Sequence, residues 1–258
     1  MAVYCFESRR KKILMHLRAA GEVEVADLVA LTRASEATIR RDLLELENEG
    51  LLMRTFGGAR AVSESSLVAR TFDQRRSQMS AAKTEIAAEA AKLVESGMSV
   101  MIDSGTTCRA FAEQLVGKGP LQVITSALAV IEALGEISGI ELIVCGGKFR
   151  LSNLDFIDPL VDFSQFHPDL LVLGCDSVIP GRGVFSFDIQ SAAISRQMAR
   201  CADRVIVLGD HTKIGKGACH RLLAPEELFR FYTTRPPEKV LARLREEPFE
   251  TVICGKQA

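Results

Sequence analysis

The sequence has no apolar run approaching the ~20 residues that a membrane-spanning helix needs. Residues 1–10 turn basic without an apolar core segment, which argues against a secretory leader. There is no C-x-x-C pair. Cys5, Cys108, Cys145, Cys175, Cys201, Cys219 and Cys254 lie scattered, and an odd, dispersed set of seven speaks against a disulfide framework and a zinc ribbon. Neither they nor the four histidines fall at metal-ligand spacing, so no metal and no cofactor are expected. The pattern G-x-x-x-x-G-K-S/T is missing as well. Residues 209–217 are only superficially similar to a P-loop, and nucleotide hydrolysis gains no support. Internal repeats and low-complexity tracts are lacking. Bulk charge is nearly absent: the net charge is −1, so any nucleic-acid binding has to come from locally placed cations. What remains is an ordinary folded composition, 47% hydrophobic and 25% charged, in 258 residues that suit two domains better than one. A reduced, cytoplasmic protein is expected, with most cysteines packed as small apolar side chains.

Charge is unevenly spread: residues 1–76 hold 13 Lys and Arg against 11 Asp and Glu, whereas residues 77–258 hold 19 against 22. The locally placed cations from which binding would come are Arg9, Arg10, Lys11, Lys12, Arg40, Arg41, Arg54 and Arg60. Periodicity predicts a first helix over 8–20, with Ser8 as N-cap, Gly21 as stop, and Ile13, Leu14 and Leu17 as its buried stripe. A second helix over 25–31 would turn Leu28 and Leu31 inward. The turn Thr32-Arg33-Ala34 leads to Ser35, whose hydroxyl can accept the backbone N–H of Thr38. Two short helices joined this tightly are the core of a helix-turn-helix.

In the third helix, ~100° per residue gathers Ile39, Leu43 and Leu46 within roughly 60°. Arg41 then points nearly opposite, with Ala37 and Thr38 on the same outer side and Arg40 on the flank. Arg41 and Thr38 are therefore the candidates for base edges, and Arg40 for the DNA backbone. After Gly50, residues 51–56 read as a strand carrying Arg54, and Gly57-Gly58 as the tight turn of a wing. An amphipathic helix with a solvated charged face would account for two adjacent arginines. It would not account for a serine cap, T-I-R-R-D-L, a glycine stop and R-x-x-G-G-A in that order. The run S-E-A-T-I-R-R-D-L-x-x-L-E-x-x-G-L-L-x-R-x-x-G-G-A resembles the winged helix-turn-helix of the DeoR family of bacterial transcription regulators. Such proteins usually carry His before the two glycines; Phe56 stands there here, which implies altered wing contacts.

Residues 61–80, rich in Ser and Arg, read as a linker between a DNA-binding domain at 1–60 and a second domain at 81–258. The second domain opens on a helix over 81–95. Strands follow at 99–103, 122–125, 141–145, 170–173, 204–208 and 251–254, with helices near 107–116 and 128–135. This alternation predicts an α/β fold with a mostly parallel sheet covered on both faces. Ligands of such folds sit beyond the carboxyl ends of the strands. Asp103-Ser104-Gly105-Thr106-Thr107 falls at one of those ends. Gly105 lets the backbone approach a ligand, the N–H groups of the helix start suit an anion such as phosphate, and three hydroxyls add donors. On chemistry alone an ordinary capped turn explains the loop equally well. Thr125-Ser126, Gly146-Gly147-Lys148 and Gly209-Asp210-His211-Thr212-Lys213 follow other strands. There Lys148 or Lys213 could neutralise a phosphate, and Asp210 could accept from sugar hydroxyls.

F-D-Q-R, K-T-E-I-A-A-E-A-A, I-D-S-G-T-T, V-C-G-G-K and G-D-H-T-K-I-G resemble the effector domain of the same family, so the resemblance spans nearly the whole chain. That domain is similar in fold to ribose-5-phosphate isomerase and binds phosphorylated sugars or related metabolites. The resemblance matches residues 103–107 to the phosphate-side loop, and Gly146, Gly147, Asp210 and Lys213 match as well. Three departures stand out. Ser126 replaces a usual Asn, and Asp158 replaces a Gly before Pro159. Ser191 and Ser195 stand where the helix after Phe187-Asp188 usually offers Glu and Lys, which removes a cation from the pocket.

The resemblance implies a sequence-specific regulator, acting as a repressor on double-stranded operator DNA and controlled by a phosphorylated sugar or polyol. It would be at least a dimer, because one recognition helix reads few bases. The alternative is a sugar-phosphate isomerase-like enzyme fused to a DNA-binding head. Its base would be Asp103 or Asp210, and the missing Glu and Lys make the site look like one for binding only.

Overall fold

The computed structural model describes residues 2–48, 52–55, 57–60, 72, 74–158, 160–215 and 217–255. The chain divides into two compact units, Met1–Gln74 and Arg75–Ala258.

The first unit runs α1 (Ala2–Ala20), β1 (Glu22–Glu24), α2 (Val25–Thr32), α3 (Glu36–Asn48), β2 (Met53–Arg54) and β3 (Gly58–Arg60). Helix α1 begins ahead of the expected cap at Ser8, because residues 2–7 contain neither Pro nor Gly to stop it. Its end is as expected: Gly21, at φ +76°, donates its N–H to Leu17 O at 2.8 Å. Ile13, Leu17, Leu28, Ile39, Leu43 and Leu46 meet in one buried cluster. Leu31 does not join them. It is exposed in the last turn of α2, just before Arg33 takes a left-handed conformation and redirects the chain. Beneath α3, the buried carboxylate of Asp42 is ion-paired with the Arg9 guanidinium. A second bond of that pair, Arg9 Nη2 to Asp42 Oδ1, is 3.0 Å long. Arg9 thus serves α1–α3 packing and leaves the set of cations available to DNA.

The wing is a three-stranded sheet in the order β1-β3-β2, and its strand β1 was not expected from sequence. The turn closes through Thr55 N–H to Gly58 O at 3.0 Å, and Gly57 O accepts from Val25 N–H at 2.9 Å. A Cβ on Gly58 would sit 1.9 Å from Val23 O, so close approach of β1 is what requires glycine there. Gly50, Leu51 and Phe56 lie outside the described residues.

The second unit continues with α4 (Ser80–Ala90), β4 (Ser99–Ile102), α5 (Thr106–Glu113), β5 (Leu121–Thr125), α6 (Leu128–Leu134) and β6 (Ile140–Val144). Then come the hairpin β7 (Lys148–Arg150) and β8 (Asp155–Ile157), followed by β9 (Leu170–Gly174), β10 (Ser177–Ile179), β11 (Gly183–Ser186) and α7 (Ile189–Ala199). The chain ends through β12 (Val205–Leu208), β13 (His220–Leu223), β14 (Arg230–Thr234), α8 (Glu238–Leu244) and β15 (Glu250–Cys254). A seven-stranded sheet in the order β15-β14-β12-β9-β4-β5-β6 is parallel throughout. It contains all six expected strands and a seventh, β14, that was not expected.

Along the strands, side chains alternate between two apolar layers, as the period of 2 demands. Val100 and Ile102 pack with Ile86, Phe111 and Val130 on one face; Met101, Leu171 and Val207 pack with Ala192, Met198 and Leu244 on the other. From β4 the chain moves outward through β5 to β6, and from β9 it moves the opposite way through β12 and β14 to β15. The winding therefore reverses between β4 and β9, and a crevice opens at their carboxyl ends.

Candidate functional site

Helix α3 is started by Ser35, whose Oγ accepts the Thr38 N–H at 3.3 Å and lies 2.8 Å from Thr38 Oγ1. With Ile39, Leu43 and Leu46 locked inward, Arg41 faces solvent and, among the described residues, makes no hydrogen bond or ion pair. Arg40 is paired with Glu36 one turn earlier, Nη2 to Oε1 at 2.6 Å. Both ends of that pair are exposed, so it is worth only ~0.3–0.5 kcal/mol and yields readily to a phosphate. The backbone N–H of Arg54 donates to Glu47 Oε1 at 2.9 Å, while its guanidinium stays exposed, 3.9 Å from the other Glu47 oxygen. Gly57 is exposed at the wing turn, and Gly58 is buried against β1.

In the second unit, a cleft of about 170 Å³ occupies the crevice between β4 and β9. The loop leaving β4 forms its floor. Ser104 N–H folds back on Asp103 Oδ1 at 2.7 Å, and Gly105 caps α5 at φ +123°. Open space surrounds the position of a Cβ on Gly105, so its backbone angle is what calls for glycine. The first turn of α5, Thr106 and Thr107, presents N–H groups that the helix itself leaves unpaired. The loop after β9 supplies Gly174 to Asp176; a Cβ on Gly174 would lie 3.4 Å from Ser104 O. The loop after β12 supplies Lys213 and Asp210, whose carboxylate accepts both the N–H (2.9 Å) and the hydroxyl (2.5 Å) of Thr212.

Of the effector residues expected from sequence, Asp103, Ser104, Gly105, Thr106, Thr107, Asp210 and Lys213 come together in this cleft. Thr125, Ser126, Gly146, Gly147 and Lys148 do not line it. Thr125 ends β5 and the others follow β5 and β6, which lie beyond β4 from the reversal point. Thr125 is buried, donating to Ile102 O at 2.8 Å and accepting from Ala127 N–H at 3.1 Å. Ser126 is buried and its carbonyl accepts from Phe156 N–H. Gly147, at φ +137°, leads into the β7–β8 hairpin on which Lys148 is exposed.

The cleft also draws on residues that sequence reasoning did not pick out as ligand contacts. Arg75 and Lys83 bring cations from the start of the unit, and Asn153, Asp176, Ser186, Ser191 and Ser195 complete the far wall. Ser195 Oγ donates to Asp103 Oδ2 at 3.0 Å, and Ser191 Oγ accepts from Arg150 Nη2 at 3.0 Å. The cation missing from α7 is thus matched by two others, Lys83 on α4 and Arg75 on the helical residues 74–77 before it. F-D-Q-R and the K of K-T-E-I-A were the only local signal for them.

Burial pushes the Asp103 carboxyl up to about 6, against the lowering effect of the Ser104 and Ser195 hydrogen bonds. Burial likewise brings Lys83 down to about 8, opposed by Asp210 and reinforced by Lys213 and Arg75. The Cys175 thiol is pushed up to about 12 by burial, so it lines the cleft as a thiol. Asp103 keeps its proton to higher pH when folded than its ordinary value of 3.8 allows when unfolded. The folded chain thus binds the extra proton, and stability falls as pH rises from about 4 to about 6, then levels off. Asp103→Asn is expected to abolish that step in a series of melting temperatures against pH; a step of wild-type size would assign it to another group.

Among the described residues no group of three or more His, Cys, Asp or Glu could hold a metal ion, and no helix is long and apolar enough to cross a membrane.

Comparison with known proteins covers both units. Residues 9–65 match the family model of the DeoR-like helix-turn-helix domain, and residues 78–234 match that of the DeoR C terminal sensor domain. The chain is 31% identical to a putative aga operon transcriptional repressor of Escherichia coli O157:H7, over 96% of this chain and 94% of that protein. It is 30% identical to a glycerol-3-phosphate regulon repressor of Haemophilus influenzae, over 96% of each chain. Among solved structures, ribose 5-phosphate isomerase A of Methanocaldococcus jannaschii aligns with 17% identity over 53% of this chain and 55% of that one, at a TM-score of 0.41.

Proposed function

Because the chain belongs to the DeoR family of transcription regulators, we propose that it grips operator DNA with α3 and the wing, and that a phosphorylated sugar or polyol in the cleft changes that grip. The protein is a transcriptional repressor with a helix-turn-helix and a sensor domain, and it is not an enzyme.

In this reading Arg41 and Thr38 meet base edges in the major groove. Arg40, Arg54, Ser35 and the exposed Gly57 backbone meet phosphates, and Gly58 holds the wing in place. The effector's phosphate rests on residues 104–107 and Lys213, while Asp103 and Asp210 accept from its hydroxyls. The observation that carries this is the start of α5. It lies at the reversal point of a parallel sheet, with Lys213, Arg75 and Lys83 lining the same cleft. The name of the glycerol-3-phosphate regulon repressor also favours a small phosphorylated polyol. Thr125, Ser126, Gly146, Gly147 and Lys148 take no part. The repressor works in the cytoplasm as a homodimer or larger assembly, since useful operator specificity needs repeated half-sites. Effector and DNA are linked through their differing affinities for two states of the protein, so each changes the binding of the other by the same factor.

A melting-temperature screen against phosphorylated sugars and polyols, repeated with promoter fragments, tests both halves. A phosphorylated compound is expected to raise the melting temperature where its dephosphorylated form does not, and to alter the mobility shift of one fragment. Equal stabilisation by the dephosphorylated form would remove the phosphate from this reading.

A further inference from the structure

The β7–β8 hairpin carries its apolar face outward. The period of 2 sets Arg150 and Asp155 on one side of the ribbon and Phe149, Leu151 and Phe156 on the other. The charged side is the buried one: the Arg150 side chain is 12% exposed and that of Asp155 4%. Phe149 and Leu151 are exposed, and the Phe149 ring lies beside that of Phe156, with centroids 5.3 Å apart. An antiparallel ribbon with one face in water ordinarily turns its polar side out and its apolar side in. The reversal marks a face built to be covered.

Arg150 joins this face to a second apolar stretch. Its Nη1 donates to Asp188 Oδ1 at 3.0 Å, and Asp188 stands between Phe187, 60% exposed, and Ile189, 61% exposed. Leu160, 87% exposed, comes three residues after β8. Phe149, Leu151, Leu160, Phe187 and Ile189 all lie outside the lining of the cleft. The ion pair at their centre is already satisfied. Arg150 Nε donates to Asp155 Oδ1 at 2.9 Å, and Nη2 donates to Asp155 Oδ2 at 2.6 Å and to Ser191 Oγ at 3.0 Å. Each guanidinium nitrogen thus has a partner, and a body laid over the face would bury the pair without stranding a charge.

Charge and area indicate what covers it. A two-fold contact sets a patch against itself, so a surplus of one sign would repel. Here Lys148 and Arg150 stand against Asp155, Asp158 and Asp188, a surplus of a single carboxylate. Such a patch tolerates its own copy and offers a strongly charged partner little to hold. The five exposed residues present on the order of 500 Å². That is about the apolar share of the ~800 Å² that each partner of a stable homodimer contributes. We propose that this face, made by the β7–β8 hairpin and the start of α7, is where two copies of the chain meet through their sensor units. The inference rests on the assembly proposed above and adds its surface.

Sedimentation velocity on the full chain, over a dilution series, tests it. Phe187→Glu combined with Ile189→Glu should raise the dissociation constant ~30-fold or more, as loss of a buried apolar anchor does. Both side chains are exposed, and a carboxylate suits the first turn of α7, so the variant should fold, which far-UV circular dichroism checks. Val116→Glu, at an exposed valine beyond α5, controls for added charge and should leave the constant unchanged. A wild-type constant in the double variant, or an equal loss in Val116→Glu, would overturn the proposal and leave the assembly standing. A wild type that stays monomeric throughout would remove the assembly and this proposal with it. Should the double variant fail to fold, hydrogen exchange of the wild type decides. Amides at 148–151 and 187–190 should slow as concentration rises; slowing only elsewhere, or none, would overturn the proposal.

Discussion

Arg41→Ala is expected to leave the protein folded and to cut sharply its preference for operator over other DNA. The side chain is exposed and, among the described residues, unpaired, while the packing of α3 rests on Ile39, Leu43 and Leu46, which the substitution does not touch. A guanidinium set bidentate on guanine O6 and N7 discriminates by ~1–3 kcal/mol, or ~5- to 150-fold for each half-site. In a complex with two half-sites the factors multiply. Arg40→Ala should behave differently. In the proposed docking it would remove a phosphate contact, so every sequence should be bound more weakly and the salt dependence should fall by ~1 in slope. Mobility shifts of an operator fragment and a scrambled one, at two salt concentrations, separate the two. Equal loss on both fragments for Arg41→Ala would make that residue a backbone contact.

Asp42→Ala should unfold the DNA-binding unit while the sensor holds. The Asp42 side chain is 2% exposed and that of Arg9 16%, so the substitution leaves a mostly buried guanidinium without its carboxylate. Breaking such a pair by removing one partner costs ~3–5 kcal/mol, a large part of what a unit this small has to spare. Asp42→Asn keeps the hydrogen-bonding shape without the charge and should fall between. Urea denaturation followed by circular dichroism would show an early transition moved to lower urea and a later one unmoved. An unmoved early transition would mean that the pair contributes nothing. The aspartate of T-I-R-R-D-L is thus a clamp onto α1, although from sequence it was one letter of a motif among others.

Much of this architecture was legible because it is written in short-range patterns. Ile39, Leu43 and Leu46 mark one helix face whatever that face meets, and Ser35 caps α3 through a residue three positions away. The strands from Ser99 to Ile102 and from Leu121 to Thr125 stand out as apolar runs between turns. What escaped depends on partners remote in the chain. Strand β1 is three residues with two glutamates, and it becomes a strand only because Val23 lies opposite Ala59. Strand β14 begins two residues after a Pro-Glu-Glu turn and exists because β12 and β15 flank it.

The site divides along the same line. The loop at 103–107 advertised itself by composition, but nothing local separated it from the glycine turn at 146–147. Strand order separates them, since β6 is at the sheet edge and β4 at the reversal point. Arg75 and Lys83 stood in or beside a stretch that reads as a linker, and their place in the cleft becomes visible only when Asn153, Asp176 and Asp210 are brought beside them.

The reversal of winding has a consequence for how the protein is made. Every wall of the cleft belongs to a different stretch of chain, from Arg75 to Leu222, and parallel neighbours such as β4 and β9 pair across a long excursion. The DNA-binding unit needs nothing beyond Gln74 for its own apolar centre. On the ribosome, helices with near neighbours close early, whereas pairings across long excursions wait for the rest of the chain. A nascent molecule therefore completes its DNA-binding unit before the cleft of the second unit has all its walls.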